Sequence, residues 1–159
     1  MSKKKVLFVC LGNICRSPSA EAVMNAYIKK ENLGNEITCD SAGIIGYHEG
    51  EPADQRMQSH AIKRGYNLTS ISRPVNPEVD FDRFDMVIGM DDQNIRDLQS
   101  LARTESDRKK IYKMTDFLEE FGYDSVPDPY YGGEEGFELV LDLLEDACKG
   151  LIKHIRNGK

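Results

Sequence analysis

Long hydrophobic runs, a surplus of basic residues and closely paired cysteines are all lacking from this sequence. No stretch of the 159 residues approaches the ~20 consecutive apolar residues that a membrane-spanning helix needs. The apolar run that follows the N-terminal lysines, Val6–Leu11, stops at Gly12 and is too short for the hydrophobic region of a signal peptide. We therefore predict a cytoplasmic protein with no membrane partner.

The charge balance argues against a nucleic-acid partner. Acidic side chains number 27 and basic ones 21, which gives a formal net charge of -6. A nucleic-acid-binding protein usually has a basic surplus gathered on one face. A small anionic ligand remains compatible with this composition, because a local pocket can be positive on an acidic protein.

The cysteines and histidines are too scattered for a disulfide framework or a metal site. A chain of this length can bury a core without covalent cross-links, so we predict one domain with reduced thiols. Four residues separate Cys10 from Cys15, and no second close pair completes a tetrahedral zinc site, so we predict no metal and no cofactor. Cys39 and Cys148 are interpreted as core residues. The histidines are interpreted as structural or surface residues: His48, His60 and His154.

Hydrophobic periodicity predicts alternating strands and helices, and hence a doubly wound α/β domain over residues 1–159. We expect a central four-stranded parallel sheet with helices on both faces. In such sheets ligands bind beyond the carboxyl ends of the strands. The predicted elements are a strand over 6–9, a helix that starts at Ser17 and Pro18, reaches about Asn32 and ends through Gly34, a strand over 37–41, a helix over 53–64 ended by Gly65, a strand over 85–90, a helix capped by Asp91 and Asp92 that reaches Leu101, a strand over 109–114, and a helix over 136–155.

An octapeptide with a thiol and a guanidinium follows the first predicted strand. It reads Cys10-Leu-Gly-Asn-Ile-Cys-Arg16-Ser17. If the loop curls around an anion, its backbone N–H groups, Arg16 and the N-terminus of the next helix point at one centre. The same positive environment favours the thiolate form of Cys10. The octapeptide therefore predicts a phosphate-sized anion site that also activates a nucleophile.

A second motif, Pro127-Asp128-Pro129-Tyr130-Tyr131, supplies a carboxylate late in the chain. The prolines on either side restrict the backbone, so Asp128 is held in an extended, preset position. Aromatic faces beside a carboxyl group favour its protonated form by desolvation. These properties suit a general acid that works near neutral pH.

Together the two motifs resemble those of the low-molecular-weight protein tyrosine phosphatases. The family signature is a cysteine, five residues, an arginine and a serine near the N-terminus, followed late in the chain by an Asp-Pro loop. The resemblance extends through residues 40–43 and 90–94 and covers essentially the whole chain. The combination is far more specific than the cysteine–arginine spacing alone. The resemblance implies metal-independent hydrolysis of phosphotyrosine in protein substrates, with a tyrosine kinase as a further candidate partner and a monomer favoured over a weak dimer.

The resemblance also assigns catalytic roles. Cys10 attacks phosphorus to form a phosphocysteine, while Arg16 and the loop amides hold the equatorial oxygens. Asp128 protonates the leaving phenolate and then accepts a proton from the attacking water. Ser17 hydrogen-bonds the sulfur in addition to capping the helix. The other phosphate- and substrate-binding residues are Leu11, Gly12, Asn13, Ile14, Cys15, Tyr47, Tyr130 and Tyr131.

Support for the phosphate loop is implied in the same way. Asn13, expected in a left-handed backbone conformation, and Ser41 match the residues that brace the loop in the family. Ser70 stands where some members carry a bracing histidine, so the sequence departs from the family there. Cys15 matches a second loop cysteine that lets some members form a reversible disulfide with the nucleophile. Tyr47 matches an aromatic rim position suited to a phosphotyrosine ring.

Two other functions stay open from the residues alone. An arsenate reductase on the same fold would bind arsenate in the loop, but such enzymes pass electrons along additional paired cysteines. None stands between Cys39 and Cys148. A non-catalytic phosphotyrosine-binding module would keep the pocket without turnover, yet binding alone needs neither Cys10 nor Asp128.

Overall fold

A four-stranded parallel sheet organises the chain, as the sequence predicts. The computed structural model describes residues 3–130 and 132–158. The strands are β1 (Lys4–Cys10), β2 (Ile37–Gly43), β3 (Met86–Gly89) and β4 (Ile111–Lys113). They lie in the order β2-β1-β3-β4, so the carboxyl end of β1 lies between those of its two neighbours.

Helices cover both faces of this sheet. None of them, within the described ranges, has the length and apolar character needed to cross a membrane. The order β1-α1-β2 forms the predicted parallel crossover, and the longest helix is the last. The helices are α1 (Arg16–Lys30), α2 (Gln55–Ile62), α3 (Pro77–Arg83), α4 (Asp92–Leu101), α5 (Glu105–Arg108) and α6 (Glu134–Gly158), with a 3₁₀ turn at Met114–Phe117.

β1 is buried on both faces, which explains its unbroken apolar sequence. Val6 and Phe8 are fully buried in the cluster that includes residues of α1 and α6. Leu7 and Val9 point to the opposite face, where they join Phe81 of α3 and further buried residues. The strand is therefore a fixed base, and Cys10 stands at its end.

α1 departs from the prediction at both ends. It begins at Arg16, with Cys15 as its N-cap and no side-chain cap, so the expected capping by Ser17 is wrong. It ends at Lys30, and the left-handed residue of the following turn is Asn32, with φ of 58°, not Gly34. Asparagine tolerates this conformation because its short polar side chain bonds locally.

Other departures from the prediction are short elements and boundaries. α3 and α5 were not predicted, because helices of seven and four residues give too little periodicity to detect. The caps that start them are Asn76 and Thr104, whose side chains accept a backbone N–H. The strand predicted over 109–114 is only three residues long, since Met114 starts the 3₁₀ turn. Gly65, with φ of 88°, lies beyond the end of α2 as expected.

The segment that leads toward Asp128 is fastened to α6. The buried carboxylate of Asp146 accepts hydrogen bonds from the backbone N–H groups of Glu119, Glu120 and Phe121 at 3.1, 2.9 and 3.0 Å. Close approach of the two backbones at this point requires Gly150, because a Cβ there would lie 1.9 Å from the carbonyl oxygen of Phe117.

Replacing Gly150 by alanine is expected to destabilise the protein, although alanine is the better helix former. Overpacking of this kind costs about 1–3 kcal/mol or more, which exceeds the gain in helix propensity of about 1 kcal/mol. Thermal denaturation followed by circular dichroism should therefore show a lower Tm for Gly150→Ala. The matched control is Gly158→Ala in the last turn of α6, where the nearest neighbours of a Cβ are 3.7 Å away. Equal Tm values for Gly150→Ala and wild type would contradict the packing argument.

Candidate active site

A cavity of about 350 Å³ opens at the carboxyl end of β1. The two motifs of the sequence, more than a hundred residues apart, meet there. Residues of the octapeptide form one side, and the 45–48 loop and the Asp128 segment form the other. The lining residues are Cys10, Leu11, Gly12, Ile14, Cys15, Arg16, Ile45, Tyr47, His48, Asp128 and Tyr130. Tyr131 lies outside the described residues.

The sulfur of Cys10 is held by the first turn of α1. Ser17 donates its backbone N–H to Sγ at 3.4 Å, and its hydroxyl oxygen lies 3.1 Å from Sγ. Both residues are almost fully buried. The positive end of the α1 dipole and two hydrogen-bonding groups of Ser17 therefore face the sulfur. Ser17 does not cap the helix because it is already its second residue, and its hydroxyl points to the sulfur instead.

Asn13 holds the loop in its curled shape. Its φ of 58° lies in the left-handed region, and its side chain is buried. The amide nitrogen donates to the hydroxyls of Ser17 at 2.8 Å and Ser41 at 3.0 Å, and the amide oxygen accepts the N–H of Arg73 at 3.0 Å. One side chain therefore ties the loop to α1, to β2 and to the segment before α3.

The bracing continues through Glu21, which the sequence did not single out. Ser41 donates to its carboxylate at 2.6 Å. Burial raises the pKa of Glu21, while hydrogen bonds from Ser41 and Ser70 act in the opposite direction. Ser72 adds a further brace by donating to the carbonyl of Gly12 at 3.0 Å.

Arg16 is buried beside the loop and is held by Asp91. Its Nη1 donates to the Asp91 carboxylate at 2.6 Å and to the carbonyl of Val126 at 3.0 Å. Burial opposes the charge of Arg16, but the neighbouring Cys10, Asp91 and Asp128 outweigh it and raise its pKa. Sequence reasoning assigned Asp91 only a cap, which it also is, since it accepts the N–H of Asn94 at 2.7 Å. Its place just beyond β3, at the edge where Cys10 stands, was the available signal.

Asp128 lies next to Arg16 in the wall of the cavity. Its Oδ2 lies 3.6 Å from Nη2 of Arg16, and its side chain is about a third exposed, at 36%. The other oxygen, Oδ1, accepts the backbone N–H of Tyr130 at 3.0 Å. The carboxyl group is therefore oriented by its own loop and reaches both the anion site and solvent.

The outer wall of the cavity is aromatic. The ring of His48 stands between Tyr47 and Tyr130, with centroid distances of 4.9 and 6.1 Å. It also lies against Gly12, where a Cβ would approach its Cδ2 to 3.1 Å, and Glu51 holds its Nδ1 at 2.9 Å. Tyr47 is 81% exposed and forms the rim. His48 is therefore a lining residue that sequence reasoning treated as structural, since nothing in its spacing marked it.

The four cysteines are all thiols, with different surroundings. Cys15 lines the cavity, and burial, reinforced by the charge of Asp54, raises its pKa strongly. Cys148 is fully buried in the core, and Cys39, which is partly buried, packs against the same core cluster. Among residues 3–130 and 132–158, no three side chains of the metal-binding types gather into a site for an ion.

Comparison with known proteins places this geometry in context. The family model described as low molecular weight phosphotyrosine protein phosphatase matches residues 5–159. A low molecular weight protein-tyrosine-phosphatase of Streptomyces coelicolor is 42% identical, over 96% of this chain and 93% of the relative. A crystal structure of a protein tyrosine phosphatase from Entamoeba histolytica superposes with a TM-score of 0.95 at 50% identity, covering 98% of this chain and 99% of the other. A Drosophila arginine phosphatase also matches, with a TM-score of 0.89 at 30% identity, covering 98% and 99%.

Asn13→Ala should impair catalysis more than stability alone explains. The substitution places alanine at φ of 58° and removes the hydrogen bonds to Ser17, Ser41 and Arg73. We expect kcat/KM for an aryl phosphate to fall by about tenfold or more, because a small displacement of the phosphate-binding groups of the loop lowers the rate of the chemical step. Asn32→Ala is the matched control, because Asn32 has the same φ but lies in the turn after α1. It should lower Tm and leave kcat/KM unchanged; equal kinetic losses in both variants would contradict the bracing role.

Proposed function

The chain belongs to the low molecular weight phosphotyrosine protein phosphatase family, whose members act on phosphotyrosine proteins, and we propose that it hydrolyses them through a phosphocysteine on Cys10. The observation that carries this mechanism is the convergence of three groups in one cavity. A nucleophile, an anion-binding guanidinium and a carboxyl group are what a phosphate monoester needs, since its charge is spread over three oxygens while the bond to the leaving group breaks.

In the first step the Cys10 thiolate attacks phosphorus, and the phenolate leaves on the opposite side. The N–H groups of the loop and Arg16 hold the three equatorial oxygens. Arg16 is aligned for this by Asp91 and by the carbonyl of Val126, so little reorientation is needed when charge develops. The S–P bond forms as the bond between phosphorus and the phenolic oxygen breaks.

Asp128 donates its proton to the departing phenolate. Its place in the wall of the cavity, next to Arg16 and partly exposed, is compatible with this role, because the leaving oxygen lies on the side away from Cys10 in an in-line displacement. In the second step the resulting carboxylate accepts a proton from water, which attacks phosphorus and releases phosphate. Ser17 stabilises the departing thiolate through its N–H and hydroxyl.

The burial of the nucleophile supports selection of an aryl ester. Cys10 is only 3% exposed, whereas Tyr47, which also lines the cavity, is 81% exposed. A phosphotyrosine side chain is long enough to reach the sulfur with its ring between aromatic walls, and a phosphoserine side chain is shorter. This favours phosphotyrosine over shorter phosphorylated residues.

The remaining predictions belong to the same proposal. We propose that residues 1–159 work as one catalytic domain, that the protein acts as a monomer in the cytoplasm, and that its partners are phosphotyrosine proteins and the tyrosine kinases that produce them. The similarity to an arginine phosphatase makes phosphoarginine the most informative competing substrate to assay.

Cys10→Ser should lose turnover and keep substrate binding. We expect phosphate release from a phosphotyrosine peptide, measured with a metal chelator present, to fall below about 0.1% of wild type, because serine is a far weaker nucleophile. The control is Cys39→Ser, which alters a cysteine outside the cavity. Rapid quench of the wild type should trap phosphate on Cys10. Loss of activity on chelation, turnover by Cys10→Ser, or faster hydrolysis of phosphoarginine than of phosphotyrosine would each contradict the proposal.

Asp128→Ala should slow reactions in proportion to the basicity of the leaving group. For phenyl phosphate we expect kcat/KM to fall by about 10²–10⁴, and for an ester with an acidic phenol by much less, because that phenolate leaves without a proton. Asp124→Ala, which removes an exposed carboxylate earlier in the same loop, is the control. An equal loss with every leaving group would show that Asp128 is not the general acid.

A further inference from the structure

Arg56, at the start of α2, touches the loop that carries Asp128. Its Nη2 donates to the backbone carbonyl of Tyr130 at 2.9 Å. The guanidinium carbon also lies 5.4 Å from the ring centroid of Tyr130 and 5.0 Å from that of Phe137, distances typical of cation–π contacts. Arg56 therefore joins the loop after Asp128 to the first turns of α6.

On its other side Arg56 is held by Asp54. Nη2 and Nε of Arg56 lie 3.0 and 3.3 Å from the two carboxylate oxygens of Asp54, which also caps α2. Burial opposes ionisation of Asp54, but these hydrogen bonds outweigh it and lower its pKa. The orientation of Arg56 is thus set by a carboxylate that remains charged at neutral pH.

Asp54 is in turn bonded to the phosphate loop. Its backbone N–H donates to the carbonyl of Ile14 at 2.8 Å. A chain of contacts consequently starts at Ile14, passes through Asp54 and Arg56, and reaches the carbonyl of Tyr130. The N–H of Tyr130 then completes it by donating to Oδ1 of Asp128 at 3.0 Å.

We propose that Arg56 is a positioning residue that fixes the general acid Asp128 relative to the phosphate loop, acting through Asp54 and the backbone of Tyr130. This inference rests on the proposed function. Asp128 also contacts Arg16 at 3.6 Å, but a bound phosphate takes up the free donors of Arg16, so that contact is given up during catalysis. An anchor outside the anion site keeps Asp128 in place when that happens, and Arg56 supplies it.

The test compares leaving-group dependence in four proteins: wild type, Arg56→Gln, Asp128→Asn and the double variant. For each, kcat/KM is measured over a series of aryl phosphates whose phenols differ in acidity. We expect Arg56→Gln to lose about tenfold with phenyl phosphate and little with an activated ester, with the inhibition constant of inorganic phosphate nearly unchanged. In the Asp128→Asn background, Arg56→Gln should have no further effect, because the group that it positions is absent.

Two further variants separate positioning from stability. Arg64→Gln removes a guanidinium whose ion pairs are with Glu138, Asp142 and Glu145 of α6. These partners take no part in the contacts that link the phosphate loop to Asp128. The substitution should leave the leaving-group dependence unchanged. Arg56→Lys keeps the cation and should restore part of the loss, and it replaces Arg56→Gln in the comparison if the latter folds poorly.

The outcomes distinguish this inference from the proposed function. If Asp128→Asn shows the expected leaving-group dependence but Arg56→Gln slows all esters equally, or if the two losses are additive, Arg56 does not position the acid. If Asp128→Asn itself shows no such dependence, the assignment of the general acid is wrong and the positioning role is overturned with it.

Discussion

The contact between the sulfur of Cys10 and the first turn of α1 is the interaction on which the site depends. For this contact to form, the chain must leave β1 at Cys10, turn around a space the size of an anion, and begin α1 at Arg16, six residues later. Within this short loop Asn13 adopts a left-handed backbone conformation, with φ of 58°. The buried strand and helix on either side fix the ends, so the hydrogen bonds from Ser17 find the sulfur in one place.

The site also depends on how the buried positive charge of Arg16 is compensated. Arg16 is nearly inaccessible to solvent, and a buried cation without a partner is costly. Asp91, the N-cap of α4, provides one partner, and Asp128 provides a second one from a loop. The contact with Asp91 is the closer of the two, at 2.6 Å against 3.6 Å, and Asp128 is the more exposed carboxylate. This difference suits the proposed roles, in which Asp91 aligns the guanidinium and Asp128 acts on the leaving group.

The sequence predicted the sheet, the helix order and the phosphate loop because each has a local signature. Apolar runs mark strands, and the octapeptide is contiguous, so its spacing is visible without a structure. The contacts of Glu21 and Arg56 were not predictable in this way, since each side chain reaches a distant element, and for Asp91 the signal was only its place just beyond a strand. His48 illustrates the same limit: the loop that contains it has no periodicity, and only the fold places its ring against Gly12. Ser17 was assigned to the helix cap because the helix was expected to start later than it does.

Substrate binding and the position of Asp128 would be coupled by this geometry in the proposed mechanism. A phosphate dianion in the loop would take up the donors of Arg16, which lies 3.6 Å from the Asp128 carboxylate. The contact between Arg16 and Asp128 would then be given up, and the carboxyl group would keep its hydrogen bond from the N–H of Tyr130 at 3.0 Å. The proposed mechanism uses Asp128 twice, first as the acid that protonates the phenolate and then as the base that accepts a proton from water. Its own loop, which does not have to move with the phosphate, holds it for both steps.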